Sequence, residues 1–319
     1  MFLDLDANLQ TDPCSVGSEA RSGADAPAVE QLCLAQGLPA DLLPTFVYPD
    51  FEVPGVAGGN PDLESETADT YTAGIVLEPA LDSRWARRLQ VSLDWYQIEV
   101  QGAIATVSAG EFVPRCYDRD FNAQLSLQNE YCSYFSRDAT TGEIRDAQAL
   151  LRNIAGYRTS GIDLQFDWSA DLGPGLAGIN WLVGYVATFE ELRARGLSAE
   201  DDVGTIGGRV GGALPEWKWN LRASYGWSGF DVVAQWRYVD AMRDIDYPDF
   251  EVPSQDYLDL VLGYAFPNGP AAGITLRIGV ENLADADPPI FPNYVQANTD
   301  PSQYDVLGRR YFARMNYRF

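Results

Sequence analysis

The chain has 319 residues, with 22 Lys plus Arg against 46 Asp plus Glu and a net charge of −24. That balance excludes a nucleic-acid partner, because phosphates must be met by a basic face. Histidine is absent, which removes Ser-His-Asp and Cys-His nucleophilic sites and His-ligated zinc or haem.

Residues 1–69 are rich in Pro, Gly and Asp and have few periodic stretches. They read as one long loop with at most a short helix near 28–36 (AVEQLCLAQ). No secretory leader opens the chain, since Met1-Phe2-Leu3-Asp4 leads directly into acidic, polar sequence. The cysteines form two local sets, Cys14 with Cys33 and Cys116 with Cys132, 19 and 16 positions apart in turn-rich segments. Such spacing suits disulfides of an oxidising compartment, although four cysteines allow three pairings. Closing a loop of that size contributes about 3 kcal/mol in the chain-entropy picture.

From residue 70 onward the signal is period-two alternation, which predicts strands near 70–78, 88–104, 158–169, 177–190, 215–227, 230–240, 255–266, 272–284 and 308–319. Trp217, Trp219, Leu221, Ala223, Tyr225 and Trp227 share one face, against Lys218, Asn220, Arg222, Ser224 and Gly226. Ile274, Leu276, Ile278 and Val280 alternate with Thr275, Arg277, Gly279 and Glu281. In the strand at 88–104 the apolar set shifts from Val91, Leu93 and Trp95 to Ile98 and Val100, which predicts a bulge or an exit from the membrane. Short links at 169–177, 227–230 and 266–272 take turns with long ones at 105–157, 191–214, 241–254 and 285–307. That rhythm belongs to an up-and-down sheet with tight turns at one end and elaborated loops at the other. The strands are near the ~9–11 residues that a tilted strand needs to cross a bilayer. Their apolar rows carry Trp and Tyr near the ends, as an interfacial girdle would. Their polar rows hold charges in mid-strand, at Arg222, Arg277, Glu281 and Arg314. The Gly-rich stretch Gly204–Gly212 lacks the Lys of a phosphate loop, and no GxxxxGK[ST], GxSxG or CxxC string occurs. No enzyme activity and no cofactor is therefore expected. The heptapeptide YPDFEVP occurs twice, at 48–54 and 247–253.

Five stretches, in order, resemble the barrel of TonB-dependent outer-membrane receptors. GNPDLESETADTYTAGIVLEP (Gly59–Pro79) is similar to the family's "N-P-x-L-x-x-E-T-x-x-x-Y-x-x-G" strand, with Glu64-Ser65 where Lys-Pro is usual. RLQVSLDWYQIEVQGAI (Arg88–Ile104) resembles the strand after it, and NIAGYRTSGIDLQFDW (Asn153–Trp168) resembles the "N-x-G-x-x-x-x-G-h-D/E" strand start. RIGVENLADADPP (Arg277–Pro289) is similar to the penultimate strand, with Ala284 in place of an aromatic. GRRYFARMNYRF (Gly308–Phe319) resembles the terminal strand, with Tyr317 and Phe319 as its barrel signal. CLAQGLP (Cys33–Pro39) also looks familiar from such receptors.

The resemblance covers residues 59–319. It implies an all-β, antiparallel up-and-down transmembrane β-barrel, here partial, with long extracellular loops. The nine strands would be the last of about 22, without the plug domain and the short TonB-contacting segment. Residues 1–69 would form an extracellular loop region with a cysteine pair, and 70–319 the C-terminal strands. Met1 would then be an internal methionine or the start of a truncated frame. Nine is odd, whereas bacterial single-chain barrels close with even numbers, and an open sheet would leave bare edges in lipid.

The implied location is the Gram-negative outer membrane. The implied partners are outer-membrane lipid and lipopolysaccharide, the barrel-assembly machinery, TonB through the missing plug region, and a small-molecule ligand. The implied function is uptake of a scarce solute: a ferric siderophore, cobalamin or an oligosaccharide. Two other architectures fit the alternation, a passive porin or surface-binding barrel and a secreted soluble β-sandwich that binds carbohydrate. Candidate ligand contacts are loop aromatics: Tyr117, Tyr131, Tyr134 and Phe135 around the second cysteine pair, Tyr247 and Phe250, and Phe291 and Tyr294. Aromatics at a wet rim stack on sugars or siderophore rings, or pack the loops themselves. Asp244, Asp246, Asp249 and Glu251 are either a divalent-cation site or a solvated acidic rim.

Overall fold

Period-two alternation becomes nine long strands in the computed structural model, which describes residues 2–6, 11–49, 53–81, 83–192, 199–207, 212–245, 247, 249–291 and 298–318. They are β1 (Thr67–Leu77), β2 (Arg88–Thr106), β3 (Ala147–Leu172), β4 (Gly175–Leu192), β5 (Trp217–Trp227), β6 (Phe230–Val239), β7 (Gln255–Ala265), β8 (Ile274–Glu281) and β9 (Arg310–Tyr317). All nine expected strands are present. The chain forms two compact units. One comprises Met1–Ala68, Val100–Tyr157 and Glu191–Glu200; the other comprises Asp69–Glu99, Arg158–Glu190 and Asp201–Phe319.

In the second unit each strand pairs with its neighbour in sequence, so the sheet is a meander from β1 to β9. The register aligns the apolar rows. Trp219 stands between Val183 and Tyr238, Leu221 between Trp181 and Trp236, and Ala223 between Ile179 and Ala234. Across β7, β8 and β9 the row continues through Leu260, Val280 and Tyr311, and through Leu262, Ile278 and Ala313. Two aromatic belts flank this aliphatic band. At the long-loop end Trp219 stacks on Tyr238 with ring centroids 3.7 Å apart, Trp236 meets Trp219 edge-on at 5.5 Å, and Tyr185 lies 4.4 Å from Trp217. At the short-turn end Phe230, Tyr264 and Phe266 form the second belt, at 4.4 and 4.7 Å.

Nothing covers that face among the described residues: Leu262 is 47%, Ile278 58% and Met315 67% exposed. A soluble sandwich would bury such a row against a second sheet, so the sandwich alternative fails. The row is the lipid face of a partial transmembrane barrel. No helix among the described residues is long and apolar enough to cross a membrane.

Tight turns hold the register. Ser228 and Gly229 both adopt positive φ (50° and 87°), as a two-residue hairpin between right-twisted strands requires. A Cβ at Gly229 would lie 2.6 Å from the Ala265 carbonyl oxygen. The long-loop end carries a small four-stranded sheet of residues 212–214, 205–207, 242–244 and 251–252. Ile206, Val239, Met242, Val252, Phe291 and Tyr304 form its core.

The first unit is more ordered than the expected loop. α1 (Glu19–Ser22) and α2 (Ala26–Gln36) precede a strand at Val53–Gly58, which pairs antiparallel with Phe2–Asp6 and parallel with the start of β3. Pro27 sits in the first turn of α2, and Gly37 ends it at φ 116°. α3 (Ala109–Cys116) begins with a capping box between Ser108 and Glu111. The alternation shift in β2, between Trp95 and Ile98, comes just before the strand passes from one unit to the other at Glu99–Val100. β3 begins eleven residues before the expected 158 because its first part pairs with loop strands and needs no lipid-facing row.

Disulfides join Cys14 to Cys33 and Cys116 to Cys132. Both pairs lie in one core with Phe112, Tyr134, Phe135 and Tyr117. Arg137 is the polar centre of this unit. It forks onto Asp12 with two contacts of 2.7 Å, and both side chains are fully buried. It also donates to the Gly142 carbonyl at 3.0 Å.

Removing one partner of such a pair strands a buried charge and costs about 3–5 kcal/mol, whereas replacing both with apolar groups of similar volume is close to neutral. Asp12→Ala is therefore expected to weaken this unit by that amount, and Asp12→Leu with Arg137→Met to recover most of it. Urea unfolding followed through the near-ultraviolet signal of the buried tyrosines checks both.

Candidate functional site

The polar rows of the second unit face away from the apolar band, and several of their charges are paired across strands. Arg237 meets Asp259 through two contacts of 3.1 Å, and Asp259 also accepts the Asn282 backbone N–H at 2.8 Å. Arg310 meets Glu281 at 2.8 Å and Asp305 at 3.4 Å. Asn180 and Gln165 donate to Asp167 at 2.8 and 2.7 Å.

Toward the long-loop end this face hollows into a recess of about 610 Å³ whose lining includes Asp94, Asp163, Lys218, Asn220, Arg237 and Tyr257. The hollow follows from side-chain size: Gly184 stands opposite Lys218 in the register and beside Asp163, so the wall is bare between two charged groups. Lys218 Nζ donates to Gln303 Oε1 at 2.9 Å. Arg237 lies over the Tyr257 ring at 5.0 Å. Asn220 Oδ1 is shielded from solvent and has no hydrogen-bond partner. Sequence alone marked the polar rows but not this convergence, which depends on the cross-strand register.

The loop aromatics are placed unequally. Tyr117, Tyr131, Tyr134 and Phe135 are buried in the core of the first unit, where Phe112 stacks on Phe135 at 5.9 Å and meets Tyr134 edge-on at 5.7 Å. Arg152 covers the Tyr134 ring at 3.7 Å. Phe291 is buried in the second unit's loop core. Tyr247 and Phe250 are exposed, and Tyr294 lies outside the described residues. Tyr317 ends β9 with its ring against Gly273, and Phe319 lies outside the described residues. Asp244 is buried and accepts the Tyr247 backbone N–H at 3.1 Å, while Asp246 lies outside the described residues. No cluster of three His, Cys, Asp or Glu able to hold a metal occurs among the described residues. The two YPDFEVP copies each bury their valine completely, Val53 in the first unit and Val252 in the second.

Burial shapes the hydroxyls of the first unit. It pushes Tyr117 up to about 12, against the pull of Arg137 beside it. Tyr134 also rises to about 12, through burial and then the Glu130 carboxylate. Burial disfavours the charged form of Arg137, but Tyr117 and Asp12 together raise it above its ordinary value. At neutral pH the phenol of Tyr117 is therefore uncharged and accepts from the Arg137 guanidinium at 3.3 Å.

A family model described as TonB dependent receptor-like, β-barrel, matches residues 39–283. No curated protein matches the chain. Among solved structures, the outer membrane transporter YddB from Escherichia coli is similar with a TM-score of 0.52 and 11% identity, over 84% of this chain and 34% of that one. The siderophore receptor PirA from Acinetobacter baumannii gives 0.48 and 17%, over 89% and 35%. A mutant of the ferric enterobactin receptor PfeA from Pseudomonas aeruginosa gives 0.49 and 14%, over 83% and 32%. The chain spans about a third of the length of these structures.

Tyrosines that ionise near 10.0 when unfolded and near 12 when folded favour the folded state fully below pH 10. That contribution is lost as pH rises from 10 through about 12. Tyrosinate absorbance is expected to leave Tyr117 and Tyr134 silent at pH 11. Tyr117→Phe is expected to remove part of the alkaline destabilisation of the first unit.

Proposed function

This chain belongs to the TonB-dependent receptor-like β-barrel family, and from that membership we propose that it supplies nine membrane-spanning strands of an outer-membrane receptor that takes up a scarce small solute. The observation that carries this reading is the pair of faces on one sheet. One is an exposed apolar band between aromatic belts, and the other is a charge-paired wall with a recess. A solute passing the barrel would meet the second face. The candidate solutes are a ferric siderophore, cobalamin or an oligosaccharide. Energy would come through TonB acting on a plug domain supplied outside this chain, and no catalytic step is invoked.

The strand count supports membership in a larger barrel. The pairs from β4 to β9 are antiparallel, and in an up-and-down sheet of nine strands β1 and β9 run in the same direction and cannot close on each other in antiparallel register. An odd number of further strands satisfies both edges, consistent with a total of about 22. In this reading the long connections, with residues 1–69 among them, lie outside the cell. There the exposed Tyr247 and Phe250 would meet an arriving solute. Tyr117, Tyr131, Tyr134, Phe135 and Phe291 serve to hold the loops in shape. Outer-membrane lipid, lipopolysaccharide and the barrel-assembly machinery are the remaining partners.

Leu260 sits midway between the belts, opposite Ala234 and Val280. Leu260→Arg is expected to cost about 2–4 kcal/mol in a bilayer. Arg222→Leu, on the opposite face, is expected to change stability by under about 1 kcal/mol. Denaturant titration of the protein in lipid vesicles checks the pair, and equal costs would contradict the assignment of faces.

A further inference from the structure

We propose that the short-turn end of the second unit binds one anionic glycerophospholipid, its headgroup phosphate on arginines of the β1–β2 turn and an acyl chain in a groove of the lipid face. For its place in the membrane, the leaflet away from the long loops, this rests on the receptor reading above.

Two hollows meet at this end. One, of about 490 Å³, lies over the tips of two hairpins, between Gly173–Gly175 and Gly226–Gly229, with Arg87 and Asp171 at its margin. The other, of about 460 Å³, lies on the apolar band. Trp227 and Phe230 line both, so the two are continuous. The register explains the second hollow. Val232, Leu262 and Ile278 stand side by side across β6, β7 and β8, and Phe230, Tyr264 and Leu276 form the next row. The aliphatic row is the floor, and the larger rings are the wall. Both hollows fall within the ~300–1,000 Å³ typical of small-molecule sites.

The polar margin gathers cations in a chain poor in them. The net charge is −24, yet Arg84, Arg87 and Arg88 fall within five residues. The turn that carries them is fixed to the end of β3. The Arg87 N–H donates to the Ser169 carbonyl at 2.8 Å, the Asp171 N–H to the Arg84 carbonyl at 2.7 Å, and Trp168 Nε1 to the Trp85 carbonyl at 3.0 Å. Arg87 Nε meets Asp171 at 2.9 Å, and its two terminal nitrogens have no partner among the described residues. Arg84 lies over the Trp85 ring at 5.2 Å and has no ion pair among the described residues. Stacking uses the flat face of a guanidinium and leaves its N–H edge for a phosphate.

A cationic margin continuous with an apolar groove matches a molecule that is a phosphate at one end and a hydrocarbon at the other. A free phosphate gains nothing from the groove, and an acyl chain alone gains nothing from the arginines. The net charge of the headgroup decides between phospholipids. A zwitterionic headgroup brings its own ammonium to the arginines and gains less than an anionic one. Phosphatidylglycerol has the further advantage that its glycerol hydroxyls can donate to the second carboxylate oxygen of Asp171.

The full chain in vesicles of phosphatidylethanolamine tests this through quenching of tryptophan fluorescence. A minor fraction of the lipid is either phosphatidylglycerol or phosphatidylethanolamine brominated on its acyl chains. Trp227 lines the groove and reports a chain lying in it. Stronger quenching by the brominated phosphatidylglycerol is expected. Arg84→Ala and Arg87→Ala are each expected to lower that preference roughly fivefold, the contribution of one arginine near an anionic surface, and Arg87→Lys to keep most of it. Arg222→Leu, on the opposite face, serves as the folding control and is expected to leave the preference unchanged. Equal quenching by the two lipids would overturn the proposal, and so would a preference indifferent to both arginines. Loss of the preference on adding inorganic phosphate, with sodium chloride of equal ionic strength as the reference, would make this a site for a free anion and overturn the lipid. Flotation with the vesicles is read separately. A chain that fails to float contradicts the membrane-spanning reading and the site with it, whereas a floating chain without headgroup preference contradicts the site alone.

Discussion

In hydrocarbon a backbone N–H or C=O has no water to turn to, so each must find its partner along the sheet. That constraint shapes the second unit. It demands long strands in an unbroken meander, which the run from β1 to β9 provides. It also ties the side chains to the backbone register, since a slip of one residue would carry every apolar group to the wrong face. Ser228 and Gly229 matter for this reason: their positive φ values fix the hairpin that sets Trp227 opposite Phe230, and with it the alignment of two strands. The aromatic belts complete the design, because rings with a polar edge suit the boundary between lipid and water.

The inner face follows from the same register. Alternation places the polar residues between lipid-facing ones, and the pairing brings opposite charges within reach across strands, as with Arg237 and Asp259. Where the aligned positions carry small residues the wall recedes. Gly184 opens the recess between Asp163 and Lys218. The chemistry of the recess is thus a by-product of strand pairing, tuned by which partners are left over once the internal pairs are made.

Different parts of this architecture were legible in the sequence to different degrees. The lipid-facing strands could be read because their period-two pattern is a local property, and Trp217 to Trp227 shows it without any knowledge of neighbours. The first part of β3 could not, because residues 147–150 pair with 55–58 in the first unit and answer to no membrane. The strand at Val53–Gly58 was hidden by its own Pro and two Gly. Tyr117 and Phe135 look alike as candidate contacts and as core residues, since an aromatic in a loop carries no mark of its burial. Their place depends on Arg137 reaching Asp12, 125 positions away, a contact that no local pattern announces. The two disulfides follow the local spacing of the cysteines, and they staple a core that the short helices could not hold alone.

The central claim is that adjacent residues of one strand face different solvents. Substituted-cysteine labelling along β5 tests it most directly, since all four native cysteines are bonded. Asn220→Cys, Leu221→Cys, Arg222→Cys and Ala223→Cys would each be placed in the protein in lipid vesicles and exposed to a water-soluble maleimide. The account predicts labelling at 220 and 222 and protection at 221 and 223. Uniform labelling, or the opposite alternation, would contradict it.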